Sequence, residues 1–216
     1  FVRSGSQWLG GLGALVLAVV VLPFRGAGGE FADRSGAHGR KPLAPNHRTA
    51  LGNVAALYIP GSFILWIAYA AAGAGGFNSL LLSMATVSTG GFVGPGDPLA
   101  PEAVRWVAIA GMVVAGTSVV VLWRLVAGRG RGLLRSRELR AYLSLLVIAT
   151  ALFTVWNGSG GVSEYREALF TVTSAVSTTG FVSNPLGEWS AAAPVLLLLL
   201  VAIGPMSGSV GGGFQL

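Results

Sequence analysis

The heptapeptide Val87-Ser88-Thr89-Gly90-Gly91-Phe92-Val93 recurs 89 positions later as Val176-Ser177-Thr178-Thr179-Gly180-Phe181-Val182, with six of its seven residues unchanged. Each copy follows a short apolar stretch and lies between two long apolar segments. Alone, Ser-Thr-Gly-Gly-Phe reads as an ordinary polar turn between helices. Duplicated in matched surroundings, it requires a chain built from two related units.

The medium around those units follows from the apolar runs. The chain is 53% hydrophobic and only 10% charged, with a mean hydropathy of +0.70, too apolar for an ordinary soluble domain. Residues 6–24, 51–72, 103–126 and 139–156 approach or exceed the roughly 20 apolar residues that a bilayer core demands. A fifth run, 190–203, is apolar but stops at a glycine-rich segment. Residues 6–24 lack the small-residue cleavage site of a signal peptide and precede a basic loop, as an outward-to-inward span does. Six Trp and four Tyr can supply interfacial belts. The absence of cysteine excludes disulfides and thiolate metal sites.

A net charge of +6 raises the possibility of a nucleic-acid partner, but its distribution argues otherwise. Eleven of the fourteen basic residues lie in or beside two segments between apolar runs. Arg25, Arg34, Arg40, Lys41 and Arg48 mark the first; Arg124, Arg129, Arg131, Arg135, Arg137 and Arg140 mark the second. The positive-inside rule makes both cytoplasmic and predicts a multi-pass protein of the cell (inner or plasma) membrane, with no nucleic-acid partner. The segments carrying the repeats then face outside, where Asp97, Glu102, Glu164, Glu167 and Glu188 stand against Arg166.

Residues 77–87 are 11 in number, about 16 Å as a helix, half a bilayer. Residues 164–176 are their counterpart. Each is expected to enter as a half-helix and return as an extended strip. The fold class expected is therefore an all-α polytopic membrane protein with helix–pore-loop–helix repeats, as in potassium channels. Residues 1–24 are the second helix of a preceding repeat and 25–50 a basic loop. Residues 51–126 are a pore repeat with strip 87–93, and 127–137 a second basic loop. Residues 138–216 are a further repeat with strip 176–182 and a glycine-rich loop at 204–213. Ser136 is the expected cap of the helix opening that last repeat. The leading Phe1, the orphan first span and the interrupted last one suggest a chain cut at both ends.

Irregular backbone at membrane depth survives only where it is buried in protein or lines water. Such a strip turns carbonyls and hydroxyls towards a shared axis, where they replace a cation's hydration shell. The candidate path is Ser88, Thr89, Gly90 and Gly91 with Ser177, Thr178, Thr179 and Gly180. Gly91 and Gly180 allow backbone angles or approaches that a side chain forbids. Phe92 and Phe181 are read as packing residues. No carboxylate lies in either strip, and hard divalent ions prefer carboxylates, so a monovalent cation, potassium best, is the expected cargo. No resident cofactor is expected.

The run from Ile203 to Gly213 is too rich in glycine for a stable helix. No Gly-Lys-Ser/Thr follows it, which argues against a phosphate loop. A plug below the strips is expected, with Ser207, Gly208, Ser209, Gly211, Gly212 and Gly213 as its gate residues. His38 and His47, the only histidines, have no carboxylate cluster beside them, so neither a metal nor a catalytic site is expected and the chain is not read as an enzyme.

Five motifs in order, Gln7–Gly13, Ser88–Phe92, Arg137–Tyr142, Thr178–Phe181 and Gly204–Gly213, resemble the ion-conducting subunit of the Trk/Ktr/HKT superfamily of cation transporters, bacterial Trk potassium-uptake type. The resemblance covers essentially the whole chain. It implies four helix–pore-loop–helix repeats around one pore, two strips of which lie here, and potassium uptake through them. It also implies a homodimer in the lipid bilayer with a cytoplasmic nucleotide-binding regulatory subunit. Gln215 stands where the family usually has lysine at the end of the gating loop. Rival readings are a sodium-permeable or sodium-coupled member, a pair of copies pooling four strips, or a non-transporting membrane scaffold.

Overall fold

The computed structural model describes residues 2–17, 47–128, 136–156, 161–183, 190 and 192–214. Among these residues all regular structure is helical. The helices are α1 (Val2–Val16), α2 (His47–Ala71), α3 (Gly76–Val87), α4 (Glu102–Ala115), α5 (Val119–Val126), α6 (Arg137–Trp156), α7 (Val162–Val176) and α8 (Ala193–Ile203).

Leu51–Ala71 within α2 and the whole of α6 are long and apolar enough to cross a bilayer. Ile59, Phe63, Ile64 and Ile67 are exposed on α2, while Val54, Tyr58 and Tyr69 are buried. A helix apolar on every face belongs in an apolar medium. On α8, Val195, Leu198 and Leu199 are likewise exposed. The helices α3 and α7, with 12 and 15 residues, are about 18 and 22 Å long, shorter than the roughly 30 Å of a bilayer core.

The third expected span, 103–126, is not one continuous helix. It breaks between α4 and α5 with a bend of 103°. Gly116-Thr117-Ser118 sits at the break, and the Thr117 hydroxyl donates to Val113 O (2.9 Å). A weak helix former beside hydroxyls that compete for backbone groups ends the helix there. Ser136 precedes α6 as expected, but its hydroxyl makes no hydrogen bond among the described residues, so it does not cap by its side chain. The helix α2 starts at His47, inside the 25–50 range read as loop. Most of both basic loops, the end of the first apolar run, His38 and Gln215 lie outside the described residues.

Among the described residues, three packed clusters hold the helices together. One joins α1, α2 and α5 through Leu15, Val54, Tyr58 and Val119. Another gathers Tyr142, Phe153, Val172, Val176, Leu200 and Met206 in the second unit. The middle cluster crosses between units, setting Phe170 and Phe181 of the second against Tyr69, Leu82, Val104 and Met112 of the first. The Tyr58 hydroxyl donates to Trp8 O (2.8 Å) and Trp8 Nε1–H to Ser62 Oγ (2.9 Å), tying α1 to α2. Between apolar helices in lipid, close packing and such bonds, rather than transfer from water, supply cohesion.

Candidate functional site

The two strips leave α3 and α7 by the same backbone turn. Thr89 N–H donates to Thr86 O (3.3 Å) and Gly90 N–H to Ala85 O (2.7 Å). In the second unit, Thr178 N–H donates to Ala175 O (3.1 Å) and Thr179 N–H to Ser174 O (3.0 Å). This is the paired Schellman ending of a helix, whose left-handed position is usually glycine. Here it is threonine in both copies, with φ of 49° at Thr89 and 54° at Thr178. A β-branched residue there costs about 1–2 kcal/mol, and strain of this kind gathers at functional sites. A second left-handed residue follows two positions on, Gly91 (φ 66°) and Gly180 (φ 80°). The strips are therefore irregular rather than the extended strands expected, because two left-handed residues interrupt each.

The strips lie against each other. A Cβ at Gly91 would overlap the Thr179 carbonyl oxygen and come within 3.1 Å of Gly180 O. Gly91 thus needs both its backbone angle and its missing side chain. On the other flank, Gly90 faces the Gln7 side chain of α1, and a Cβ at Gly11 would stand 3.0 Å from Ser88 Cβ. Phe181 is buried, and Phe92 packs on the same cluster. In the second strip, the Ser174 hydroxyl donates to Phe181 O (2.8 Å), and the Ser177 and Thr179 hydroxyls share a bond (2.8 Å).

The chain beyond α8 turns at Gly204 (φ 75°) and runs without helix through the described residues to 214. It reaches the second strip directly, since Gly212 N–H donates to Thr178 Oγ1 (2.9 Å). A Cβ at Gly211 would lie 2.9 Å from Ser177 O, so only glycine lets the loop approach this closely. The loop's other anchor is the α4–α5 break. Met206 N–H donates to Gly116 O (3.1 Å), and Val119 N–H donates to Gly208 O (3.0 Å). Backbone groups freed by the interrupted helix are thereby satisfied. Met206 is fully buried, Ser207 partly so, and Ser209 is buried. The two ends of the loop meet where Gly213 packs on Gly204.

The arrangement offers neutral oxygens. Among the described residues no group of three or more His, Cys, Asp or Glu side chains could hold a metal. Carbonyls and threonine hydroxyls at the ends of two short helices suit a weakly held cation, and the negative ends of those helix dipoles point the same way.

No protein-family model matches the chain. It is 30% identical over 234 residues to the Trk system potassium uptake protein TrkH of Escherichia coli, across the whole of this chain and 47% of that protein. TrkI of Halomonas elongata is 27% identical over 223 residues, 99% of this chain and 45% of that one. The crystal structure of the potassium transporter TrkH from Vibrio parahaemolyticus superposes with a TM-score of 0.80 at 25% identity, covering 97% of this chain and 44% of that chain. The curated homologues of this chain include Trk system potassium uptake proteins. These Trk homologues are transporters rather than enzymes, and the chain spans about half their length.

The expected site residues sort into two places. Ser88–Gly91 and Ser177–Gly180 meet at the paired strips, and the loop residues Gly211 and Gly212 stand against Ser177 and Thr178. Ser207, Gly208 and Ser209 sit nearer the helix break, where Gly208 O accepts from Val119. Sequence reasoning missed the break itself, although Gly116-Thr117-Ser118 is a polar triplet inside an apolar run. It also missed Arg105, read as part of a span. Arg105 pairs with Glu167 of α7, while Arg166 pairs with Glu102 of α4.

Proposed function

We propose that this chain forms part of a potassium-uptake pathway across a membrane. The ion path comprises Ser88, Thr89, Gly90 and Gly91 with Ser177, Thr178, Thr179 and Gly180. The observation that carries this reading is the duplicated strip: two short helices end in the same strained threonine turn, and Gly91 lies against the carbonyls of Thr179 and Gly180. Oxygens of this kind can exchange for the hydration shell of a weakly hydrated monovalent cation. The Trk homologues, named for potassium uptake, favour potassium as that cation.

Residues 51–126 and 138–216 act as two helix–pore-loop–helix repeats, and residues 1–24 contribute the second helix of another. The glycine loop at 204–213 acts as the gate beneath the strips. Its bond from Gly212 to Thr178 makes the loop part of the path's inner wall in the conformation described. Its anchors at Gly116 and Val119 give a hinged helix the means to move it. The basic segments face the cytoplasm of a cell membrane, where a nucleotide-binding regulatory subunit would dock, and the protein works as a homodimer.

Rubidium uptake by potassium-uptake-deficient cells tests the reading. The intact protein should restore uptake, and Gly180→Arg should abolish it while membrane insertion persists. Uptake indifferent to Gly180→Arg would place the ion path elsewhere; no uptake by the inserted intact protein would favour a scaffold; equal uptake of sodium would favour a sodium-permeable relative.

A further inference from the structure

Glu167 is a buried carboxylate on α7, and the ion path makes no direct use of it. One oxygen pairs with Arg105 of α4, in the first unit; Arg166 Nη2 stands 3.8 Å from the same oxygen. The other oxygen accepts from the Ser183 hydroxyl (2.8 Å), one residue past the second strip. Arg105 is itself fixed, because its Nε–H donates to Leu99 O (2.8 Å). A chain of contacts thus runs from the first unit through Arg105 and Glu167 to the end of the second strip remote from the glycine loop.

The first unit has a neutral version of the same device. Glu167 occupies the position of Asn78, and Ser183 that of Gly94, at the repeat's offset of 89. Asn78 Nδ2–H donates to Pro95 O (3.4 Å), and a Cβ at Gly94 would overlap Asn78 Oδ1. In both units a polar side chain from the short helix holds the segment just beyond the strip. Only in the second is it charged and tied across to the other unit.

We infer that Glu167, held by Arg105, is a positioning residue that fixes the spacing of the second strip and so sets its preference between potassium and sodium. This rests on the proposed potassium path. Selectivity by neutral oxygens depends on how far they can close around the smaller ion. A buried ion pair contributes little net stability but fixes geometry, because breaking it strands a charge. The second strip is pinned near its start by Thr178 and Gly212 and at its end by Ser183 and Glu167.

The test measures the ratio of rubidium to sodium uptake by the intact protein in cells lacking their own potassium uptake, with membrane insertion assayed in parallel. Glu167→Ala should lower the ratio about tenfold, the effect of losing one charge-assisted hydrogen bond. Glu167→Gln, which can still accept from Ser183, should recover part of the loss. Ser183→Ala should lower the ratio less than Glu167→Ala, and it tests the idea should Glu167→Ala fail to insert. A merely structural role would reduce uptake of both ions together. An unchanged ratio in Ser183→Ala and Glu167→Gln, or in an inserted Glu167→Ala, overturns the assignment. Gly180→Arg, run alongside, separates the two readings. If it leaves uptake intact, the path itself is wrong; if it abolishes uptake while the Glu167 and Ser183 variants keep the ratio, only the positioning role is wrong.

Discussion

The first and second strips share a backbone and differ in what supports it. Both carry a left-handed threonine followed two positions on by a left-handed glycine. The first is flanked by α1, with Gln7 and Gly11 against Gly90 and Ser88, and the Ser88 hydroxyl donates to Met84 O (2.7 Å). The second adds hydroxyl bonds that the first lacks. Ser174 reaches Phe181 O and Thr179 reaches Ser177, whereas Ala85 and Gly90 at the corresponding positions have no hydroxyl to offer. The second also takes the bond from the glycine loop. The shared backbone fits the proposed ion path; the unequal support is what the proposal of control at the second strip rests on.

The glycines should expose the sharpest contrast. Gly91→Ala meets both a left-handed φ and the Thr179 carbonyl, while Gly180→Ala meets the φ alone, with nothing within 4 Å of the added carbon. Thermal unfolding of the purified protein in detergent should show a loss of about 3 kcal/mol or more for Gly91→Ala, against about 1–2 kcal/mol for Gly180→Ala. Equal losses would mean that the strips are not in contact.

Next comes the loop. Gly211→Ala would drive a methyl group into Pro205 and the Ser177 carbonyl. It should displace the loop from the second strip and raise rubidium flux several-fold, and unchanged flux would deny the loop a controlling role. A smaller effect is expected from Ser174→Ala, which should cost about 1 kcal/mol of stability through the lost bond to Phe181. The smallest contrast is between Thr89→Gly and Thr178→Gly. Both relieve strain of about 1–2 kcal/mol, but Thr178→Gly also surrenders the bond from Gly212, so its gain should be lower by about 1 kcal/mol. Identical gains in thermal unfolding would show that the loop bond contributes nothing.

Much of this was legible in the sequence because hydropathy and duplication are written locally. The long helix α2, the helix α6 and the short helices before each strip all follow from run length. The glycine density of 204–213 foretold a non-helical segment. The bend after Ala115 was less visible, since three polar residues in an apolar run lower helix propensity only modestly, and it is the docked loop that satisfies the opened backbone groups. The left-handed threonines could not be read at all. Propensity argues against them, and they are set by the helix-ending bonds around them. Arg105 drew no reading of its own within the run 103–126, because its partner Glu167 is 62 residues away, in the other unit.

The most direct test of the ion path is rubidium uptake by the intact protein in potassium-uptake-deficient cells, compared with Gly180→Arg at equal membrane insertion. The path described here expects robust uptake that the arginine abolishes. Uptake that survives Gly180→Arg undiminished would contradict it.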